Sequence, residues 1–360
     1  MIRLECINKK LVMSGYSSIK ILEKGSFVTC FTAVNSESEK VVLIVSDNIQ
    51  ELQTRFDLAK KLDDIEGVQK LYGLQKLEIQ DSALEQLEAE YPGIFSKDSH
   101  VLTGRYYATQ YNDHVRQLSL PQKLDFFREL LVLVKQVHDK GVYHMDLKPS
   151  NIMVQDGKPV LIDFGQSVTE AEVDSVLNTS AYAPKHDVYS CNVIPEKFDI
   201  YCLGNMLHEI YIGQPLGYPI TPSSRQAQQI KQTFGLFAQN IIGQMTQRIQ
   251  DLRISLEYCI KHPIFVYKEQ TSLEKSQQIL SEFVFSLYGD QYIELLDQQI
   301  EGNKQVINSS SSYSNSSYDI PQTMNLTTTN TTNSLRDLFG NITLSRINSC
   351  ILSVQEESQQ

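Results

Sequence analysis

The first part of the chain alternates apolar and polar positions, with short polar breaks between the apolar stretches. Residues 17–45 contain three stretches rich in β-branched and aromatic residues. Two turn-forming segments, residues 25–27 and residues 35–39, separate these stretches. The pattern predicts three antiparallel strands joined by tight turns, with the third strand ending near Val45.

The pattern then changes to helical spacing and returns to strands. Apolar residues at positions 52, 56, 58, 59 and 62 predict a helix. Strands are predicted over residues 68–74 and 106–111, and residues 78–104 between them form an acidic insertion to which the pattern assigns no structure. The whole first third is therefore predicted to be a β-sheet with one helix.

A long helix is predicted over residues 121–140, where Pro121 stands at the first turn and Gly141 stands at the end. Two short apolar stretches follow, at residues 152–154 and 160–162. They flank Asp156 and Gly157, a dipeptide that favours a tight hairpin. Helical spacing then dominates to about residue 300.

The last segment has a different composition. Residues 303–333 are mostly Ser, Thr, Asn and Gln, with little apolar surface to bury, so they are predicted to be disordered. Residues 335–351 are predicted to form a short helix or a docking motif.

Charge and cysteine content exclude several classes of protein. The formal net charge of −11 opposes attraction to nucleic-acid phosphates and to anionic lipid, so neither nucleic acid nor a membrane is expected as a partner. No apolar stretch has the length of a membrane span or of a secretory signal. The six cysteines are scattered without a CxxC pair, which predicts reduced thiols and a cytoplasmic or nuclear location rather than secretion.

Candidate chemistry is concentrated in two neighbouring segments. Residues 144–151 read HMDLKPSN, and residues 163–165 read DFG. Together with the preceding helix and the hairpin at Asp156, they resemble the catalytic loop and the magnesium-binding segment of eukaryotic protein kinases. Residues 179–184, 199–204, 251–253 and 262–265 resemble later parts of the same domain.

The resemblance implies an α+β, bilobal protein-kinase-like fold. A small antiparallel β-sheet with one main helix is expected over residues 15–110, and a larger, mostly helical lobe over residues 111–267. Residues 1–14 are then an N-terminal extension, residues 268–302 a helical extension, and residues 303–360 a disordered tail rich in Ser, Thr and Asn.

The resemblance also implies ATP and Mg²⁺ as cofactors and specific roles for the catalytic residues. Asp146 would orient or deprotonate the substrate hydroxyl, and Lys148 would neutralise the transferred phosphate. Asn151 and Asp163 would hold magnesium. A lysine two positions after the catalytic aspartate resembles serine/threonine kinases rather than tyrosine kinases.

Nucleotide-binding positions follow from the same resemblance. Gly25 lies in the expected phosphate-covering loop, Cys30 lies in the strand after it, and Leu43 is expected under the adenine. Thr109 is expected as the gatekeeper, and the backbone of Tyr111 is expected to contact the adenine.

The N-terminal part departs from the family pattern. Glu23 and Val28 stand where the phosphate-covering loop usually has its first and third glycines. Val45 stands where the third strand usually has a phosphate-binding lysine. The four lysines considered as substitutes are Lys20, Lys24, Lys60 and Lys61.

Two further departures concern the helix after the third strand and the catalytic loop. On that helix, the position of the usual glutamate partner falls near Arg55, with Glu51 and Asp57 one turn or less away. Met145 replaces an arginine that usually receives an activation-loop phosphate.

Three functions remain open from the sequence. The first is a protein serine/threonine kinase that acts on a protein substrate. The second is a pseudokinase that serves as a scaffold for a partner, with or without ATP. The third, a small-molecule kinase of similar fold, is disfavoured because residues 148–150 and 182–184 resemble protein-substrate machinery.

Overall fold

The computed structural model describes residues 2–7, 10–25, 27–174, 176, 180–187, 192–216, 224–267, 272–283 and 286. The chain divides into two units, Met1–Ile210 and Tyr211–Gln360, with the division inside one helix. The predicted disordered segment at 303–333 and the docking motif at 335–351 lie outside the described residues.

The first unit begins with a closed β-barrel whose strand order is β1-β2-β3-β4-β5-β7-β6. Its strands are β1 Ile2–Ile7, β2 Lys10–Met13, β3 Tyr16–Lys24, β4 Thr29–Asn35, β5 Lys40–Ser46, β6 Leu71–Ile79 and β7 His100–Arg105.

The predicted meander of three strands is confirmed by β3, β4 and β5, which pair antiparallel. The side chain of Asn35 accepts hydrogen bonds from the backbone N–H groups of Glu37 and Glu39, at 3.0 and 2.8 Å, and so forms the predicted turn.

The N-terminal hairpin closes the barrel. β1 pairs antiparallel with β2 and parallel with β6, from Ile2↔Leu77 to Leu4↔Ile79. Leu4 and Met13 are almost fully buried in the barrel interior. The segment predicted to be an N-terminal extension therefore supplies two strands of the barrel.

The barrel has two apolar faces. Its interior contains Phe31, Leu43 and Val45. The outer face of β5 carries Val42 and Ile44, which pack with α1, Ile49–Lys61. Successive side chains of a strand point to opposite faces, which accounts for this division.

The acidic insertion is ordered and contains α2, Asp81–Glu90. Leu87 of α2 is buried in the interior cluster, and the ring of Phe95 stacks on Phe31 at 5.8 Å between centroids. The insertion thus contributes to the core of the barrel.

The strand predicted over residues 106–111 is wrong. β7 ends at Arg105, a two-residue strand β8 follows at Thr109–Gln110, and α3 spans Tyr111–Val115. Aromatic residues at 106, 107 and 111 produced the strand prediction, but Tyr107 and Tyr111 are buried by tertiary contacts rather than by a sheet.

The rest of the first unit is mainly helical. α4 spans Leu120–Asp139 and begins with a capping box between Ser119 and Gln122, which confirms the predicted helix. A three-stranded sheet with order β10-β9-β8 follows, formed by β8, β9 Ile152–Gln155 and β10 Lys158–Leu161. α5 spans Pro195–Ile212.

The second unit is helical in its described part. Its helices are α6 Arg225–Phe234, α7 Leu236–Met245 and α8 Leu256–Lys261, and residues 273–283 are also helical. Ile241, Ile242 and Cys259 are fully buried there.

The predicted fold class is confirmed as mixed α+β: an N-terminal β-sheet with a helix, followed by a largely helical part. In the part of the chain that the structure describes, no helix is both long and apolar enough to cross a membrane.

Candidate active site

Asp199 fixes the start of the candidate catalytic loop. Its buried carboxylate accepts hydrogen bonds from the backbone N–H of His144 at 2.7 Å and of Met145 at 2.8 Å. His138 Nε2 lies 2.9 Å from the same carboxylate. The predicted structural role of Asp199 beneath the site is confirmed.

The loop is also tied to the segment that carries Asp163. His144 Nε2 lies 3.0 Å from the carbonyl oxygen of Ile162, and the hydroxyl of Ser167 donates to the carbonyl of His144 at 3.2 Å. The rings of His144 and Phe164 are in contact, with centroids 5.0 Å apart. His144 and Phe164 therefore act as packing residues.

Asp146, Lys148 and Asn151 converge on one carboxylate. Lys148 Nζ lies 2.8 Å from Asp146 Oδ2, and Asn151 Nδ2 donates to Asp146 Oδ2 at 2.9 Å and to the Asp146 carbonyl at 2.8 Å. The carboxylate is thus held in one orientation while part of the lysine side chain stays exposed. This geometry suits a group that accepts a proton from a bound hydroxyl.

The β9–β10 hairpin brings Asn151 and Asp163 to the same end of a sheet. Asn151 directly precedes β9, and Asp163 follows β10 after one residue. Ile152 and Leu161 are register partners, and the Ile162 N–H donates to the Asn151 carbonyl at 3.0 Å. The turn residues Asp156 and Gly157 both have positive φ, as the predicted tight hairpin requires.

Met145 and Asp163 have left-handed backbones, each with φ of 62°. This conformation is costly for residues other than glycine and persists only where surrounding contacts enforce it. Asp199 supplies such a contact at Met145, and Arg55 supplies one at the Asp163 side chain. Met145 lies in the candidate catalytic loop, and Asp163 lies in the candidate magnesium-binding segment.

Arg55 of α1 forms an ion pair with Asp163. Its Nη1 donates to Asp163 Oδ1, and its Nη2 donates to Glu51 Oε1 at 3.0 Å. Burial acts to raise the pKa of Asp163, but the charge and the hydrogen bond of Arg55 outweigh it and hold that pKa below its usual range. The carboxylate is therefore ionised at neutral pH.

The donor atoms at Asn151 and Asp163 fit a magnesium ion. Among the described residues, the hydrogen bonds to the Asp163 carboxylate fall on Oδ1, and Asn151 uses its Nδ2, so one oxygen of each side chain is left for a cation. The described residues contain no group of three or more His, Cys, Asp or Glu side chains placed to hold a metal. Magnesium commonly completes its coordination with water and phosphate oxygens, which matches so small a protein ligand set.

Cys30 lies on the same side of the barrel as α1. It is the register partner of Ile44 and packs against the cluster that contains Ile44 and Leu52. Burial, together with the negative charge of Asp163, raises the pKa of the Cys30 thiol to about 12. Of the predicted nucleotide-binding residues, Cys30 is the one that the structure brings close to Asp163.

The prediction that Leu43 lies under the adenine needs correction. The alignment that placed Val45 at the position of the third-strand lysine needs the same correction. Both side chains point into the barrel interior, whereas Val42 and Ile44 face α1. A shift of one residue in a strand exchanges its two faces, and the continuous apolar run of β5 gave no alternation that fixes the face.

Thr109 and Tyr111 are also not where the resemblance placed them. Thr109 is exposed in β8 and pairs with Val154 rather than standing at the end of β7. Tyr111 is buried at the start of α3, with its ring 5.9 Å from that of Phe126. Both corrections have one cause, the wrong strand prediction for residues 106–111.

Gly25 lies in the turn between β3 and β4, where its N–H donates to the Val28 carbonyl at 2.9 Å. Its φ is not in the left-handed region. This geometry is that of a hairpin turn, and a phosphate-covering role for Gly25 stays a prediction.

Arg55 is the site residue that sequence reasoning did not identify. The notable signal was the spacing of Glu51 and Arg55, because residues four apart lie on the same helix face. None of the four candidate lysines has a described contact with Asp163: Lys24 donates to the Pro92 carbonyl at 2.8 Å, Lys60 lies over the Phe56 ring, and Lys20 and Lys61 are surface residues.

Sequence comparison finds similar proteins among known kinases. Serine/threonine-protein kinase D of Synechocystis sp. is 27% identical over 160 residues, which make up 43% of this chain and 30% of the relative. Probable serine/threonine-protein kinase glkA of Dictyostelium discoideum is 25% identical over 236 residues, 64% of this chain and 46% of the relative. Aurora kinase C of Mus musculus is 27% identical over 164 residues, 41% of this chain and 59% of the relative.

The chain therefore spans between 30% and 59% of the length of these three relatives. At the level of families, residues 16–283 match the protein kinase domain. This match covers five of the seven barrel strands, β3 to β7, and the candidate catalytic loop. Because the family match extends over residues 16–283, well over half of the sequence, the chain belongs to the protein kinase family.

Proposed function

We propose that this chain is a protein serine/threonine kinase that transfers the γ-phosphoryl group of ATP to a hydroxyl group of a protein substrate. The observation that carries this proposal is the convergence of Lys148 Nζ and Asn151 Nδ2 on Asp146 Oδ2, at 2.8 and 2.9 Å. A carboxylate oriented in this way beside a partly exposed cation can accept a proton from a substrate hydroxyl.

In the reaction, Asp146 accepts the proton of the substrate hydroxyl as the oxygen bonds to the γ-phosphorus. The bond from that phosphorus to the bridging oxygen breaks, and ADP leaves with the electron pair. Lys148 lies beside Asp146 and offsets the negative charge of the transferred phosphoryl group. Asn151 holds the Asp146 carboxylate in the orientation that this proton transfer requires.

Asn151 and Asp163 are the residues that would hold magnesium, through the oxygens that the described hydrogen bonds leave open. Magnesium bound there supplies positive charge against the phosphate oxygens. Asp163 is suited to this role because it is ionised at neutral pH and part of its side chain is exposed, at 44%.

Serine and threonine are the proposed acceptors. The lysine at position 148 resembles the serine/threonine branch of the family, and two of the relatives carry the name serine/threonine-protein kinase. The free thiols of Cys6, Cys30, Cys202 and Cys259 support a cytoplasmic or nuclear location for such an enzyme.

A direct test follows phosphate from γ-labelled ATP to a generic protein substrate with magnesium. The wild type is compared with Asp163→Asn, and Asp156→Asn serves as a matched control in the exposed hairpin turn. We expect transfer by the wild type and the control, and loss of transfer in Asp163→Asn. Equal phosphate transfer in all three proteins would contradict the proposal that this chain is the kinase.

A second function, a pseudokinase that acts as a scaffold, is favoured by a different observation. The face of β5 toward α1 carries the apolar residues Val42 and Ile44, and Arg55 donates to one oxygen of Asp163. Thermal unfolding with ATP, with and without magnesium, separates the alternatives, because a ligand that binds the folded state raises the apparent stability. A shift without transfer indicates an ATP-binding scaffold, and no shift at millimolar ATP indicates a scaffold independent of nucleotide.

A further inference from the structure

The Arg55 guanidinium is held at two points at the edge of the candidate active site. Nη1 donates to Asp163, while Nε and Nη2 donate to Glu51 Oε1 at 3.4 and 3.0 Å. The side chain is 10% exposed. Because Glu51 is one turn before Arg55 in the same helix, the guanidinium stays oriented toward Asp163 without support from the barrel.

On this side of the barrel the described charge is negative: Glu23 of β3 is the register partner of Cys30, and its charge acts on the Cys30 thiol. The residues of β5 that face α1 are Val42 and Ile44, and Cys30 stands beside Ile44. The lysine of β5, Lys40, lies at its first residue and over the ring of Tyr106, 3.9 Å from the centroid. Lys148, on the catalytic loop, is paired with Asp146.

We propose that Arg55 binds the phosphate groups of a nucleotide held beside Asp163. The inference rests on the proposed function, in that the candidate active site must accept ATP. A guanidinium has five N–H donors, and the described hydrogen bonds to Glu51 and Asp163 use three of them. One N–H on each terminal nitrogen is left, and paired N–H groups of this kind are suited to phosphate oxygens.

The ion pair with Asp163 determines where Arg55 would bind phosphate. A nucleotide phosphate that shares a cation with Asp163 lies close to the Arg55 guanidinium, because Asp163 contacts both. Glu51 then keeps the guanidinium in place when the Asp163 carboxylate turns toward a cation. Glu51, Arg55 and Asp163 together carry a formal charge of −1, so the cluster by itself does not attract an anion, and phosphate binding is expected to be strongest with magnesium present.

Gly165 shows how closely the guanidinium is enclosed. A Cβ built on Gly165 would overlap the Cζ and Nη2 atoms of Arg55. A side chain at position 165 would therefore displace the guanidinium while leaving its charge in the protein. Gly165→Ala would therefore move the guanidinium, whereas a substitution of Arg55 would remove it, so the two variants perturb the same group in different ways.

The test compares the affinities for ATP and for adenosine, which lacks phosphates, by calorimetry with magnesium present. The variants are Arg55→Met, which keeps most of the side-chain volume, and Gly165→Ala. Lys61→Ala removes an exposed positive charge from the same helix and serves as the control.

We expect both variants to lose about 10- to 100-fold of ATP affinity, the range of a lost charged hydrogen-bond pair. Adenosine affinity should stay within about twofold, and Lys61→Ala should match the wild type in both.

Two results would overturn the role of Arg55 without contradicting nucleotide binding by the wild-type protein. One is an unchanged ratio of ATP to adenosine affinity in a folded Arg55→Met or Gly165→Ala protein. The other is a parallel loss of both ligands, which indicates a distorted pocket. A wild type that binds neither ligand would overturn both this inference and the proposed kinase, and would leave the nucleotide-independent scaffold.

Discussion

Arg55 on α1 and Asp163 after β10 form an ion pair between residues 108 positions apart in the sequence. The pair joins the helix on the barrel to the segment that carries the candidate magnesium ligand. Its contribution to stability depends on the ionisation of Asp163, and this dependence can be measured.

The pH dependence of the free energy of unfolding measures the contribution of the Arg55–Asp163 ion pair. The pKa of folded Asp163 is below its usual range, and the unfolded value is about 3.9. The ion pair therefore stabilises the folded state above about pH 4, and the contribution is lost as the pH falls through the folded pKa. We expect the difference in free energy of unfolding between the wild type and Asp163→Asn to be constant from pH 7 to 5 and to shrink below about pH 4, as measured by urea denaturation. A difference that grows on acidification contradicts the pair.

Asp199 is expected to contribute strongly to stability. Substitution by alanine leaves the N–H groups of His144 and Met145 without their carboxylate, which costs about 2 to 6 kcal/mol in total for two buried donors. The measurement is the free energy of unfolding of Asp199→Ala. Asp139→Ala, which breaks the exposed i,i+4 pair with Lys135, is the control and should cost less than about 1 kcal/mol. Equal costs for the two variants would argue against the described role of Asp199.

The N-terminal hairpin gives a third prediction. Leu4 is fully buried in the barrel, whereas Val12 in the paired strand is 41% exposed. Leu4→Ala should lower the free energy of unfolding by about 2 to 5 kcal/mol, and Val12→Ala by less than about 1 kcal/mol. If Leu4→Ala were as mild as Val12→Ala, the hairpin would not be part of the barrel core.

Cys30 is expected to resist alkylation in the folded protein. With a pKa of about 12, its thiolate fraction at pH 8 is lower than that of an ordinary cysteine by a factor on the order of 10³. Iodoacetamide labelling followed by peptide mass spectrometry measures the rate, with the urea-unfolded chain as reference. Labelling of native Cys30 at the unfolded rate would show that the thiol is neither buried nor close to a negative charge.

The candidate catalytic loop could be recognised from the sequence because its residues are close together along the chain. Asp146, Lys148 and Asn151 lie within six positions, and the tight hairpin at Asp156 and Gly157 returns the chain to Asp163. Turn chemistry and short spacing thus determine most of this part of the site.

The rest depends on contacts between distant segments. Glu51 and Arg55 have the spacing of an i,i+4 pair, which the sequence analysis did not identify, and nothing near them in sequence indicates that Asp163 is a partner of Arg55. The face of Leu43 was not predictable because every residue from Val41 to Val45 is apolar. The strands of the N-terminal hairpin were missed because β1 depends on a parallel pairing with β6, more than 70 residues later.

The central claim is that the chain is a serine/threonine kinase with Asp146 as the base. One measurement tests it most directly, because it identifies the amino acid that accepts the phosphate and the effect of replacing Asp146. The labelled product of the reaction with γ-labelled ATP is hydrolysed, and its phosphoamino acids are identified, for the wild type, Asp146→Asn and the control Asp156→Asn. The account predicts label on serine or threonine in the wild type and the control, and a loss of about 10²- to 10⁴-fold in Asp146→Asn, the range for removal of a general base. Transfer by Asp146→Asn at the wild-type rate, or no transfer by the wild type, would contradict it.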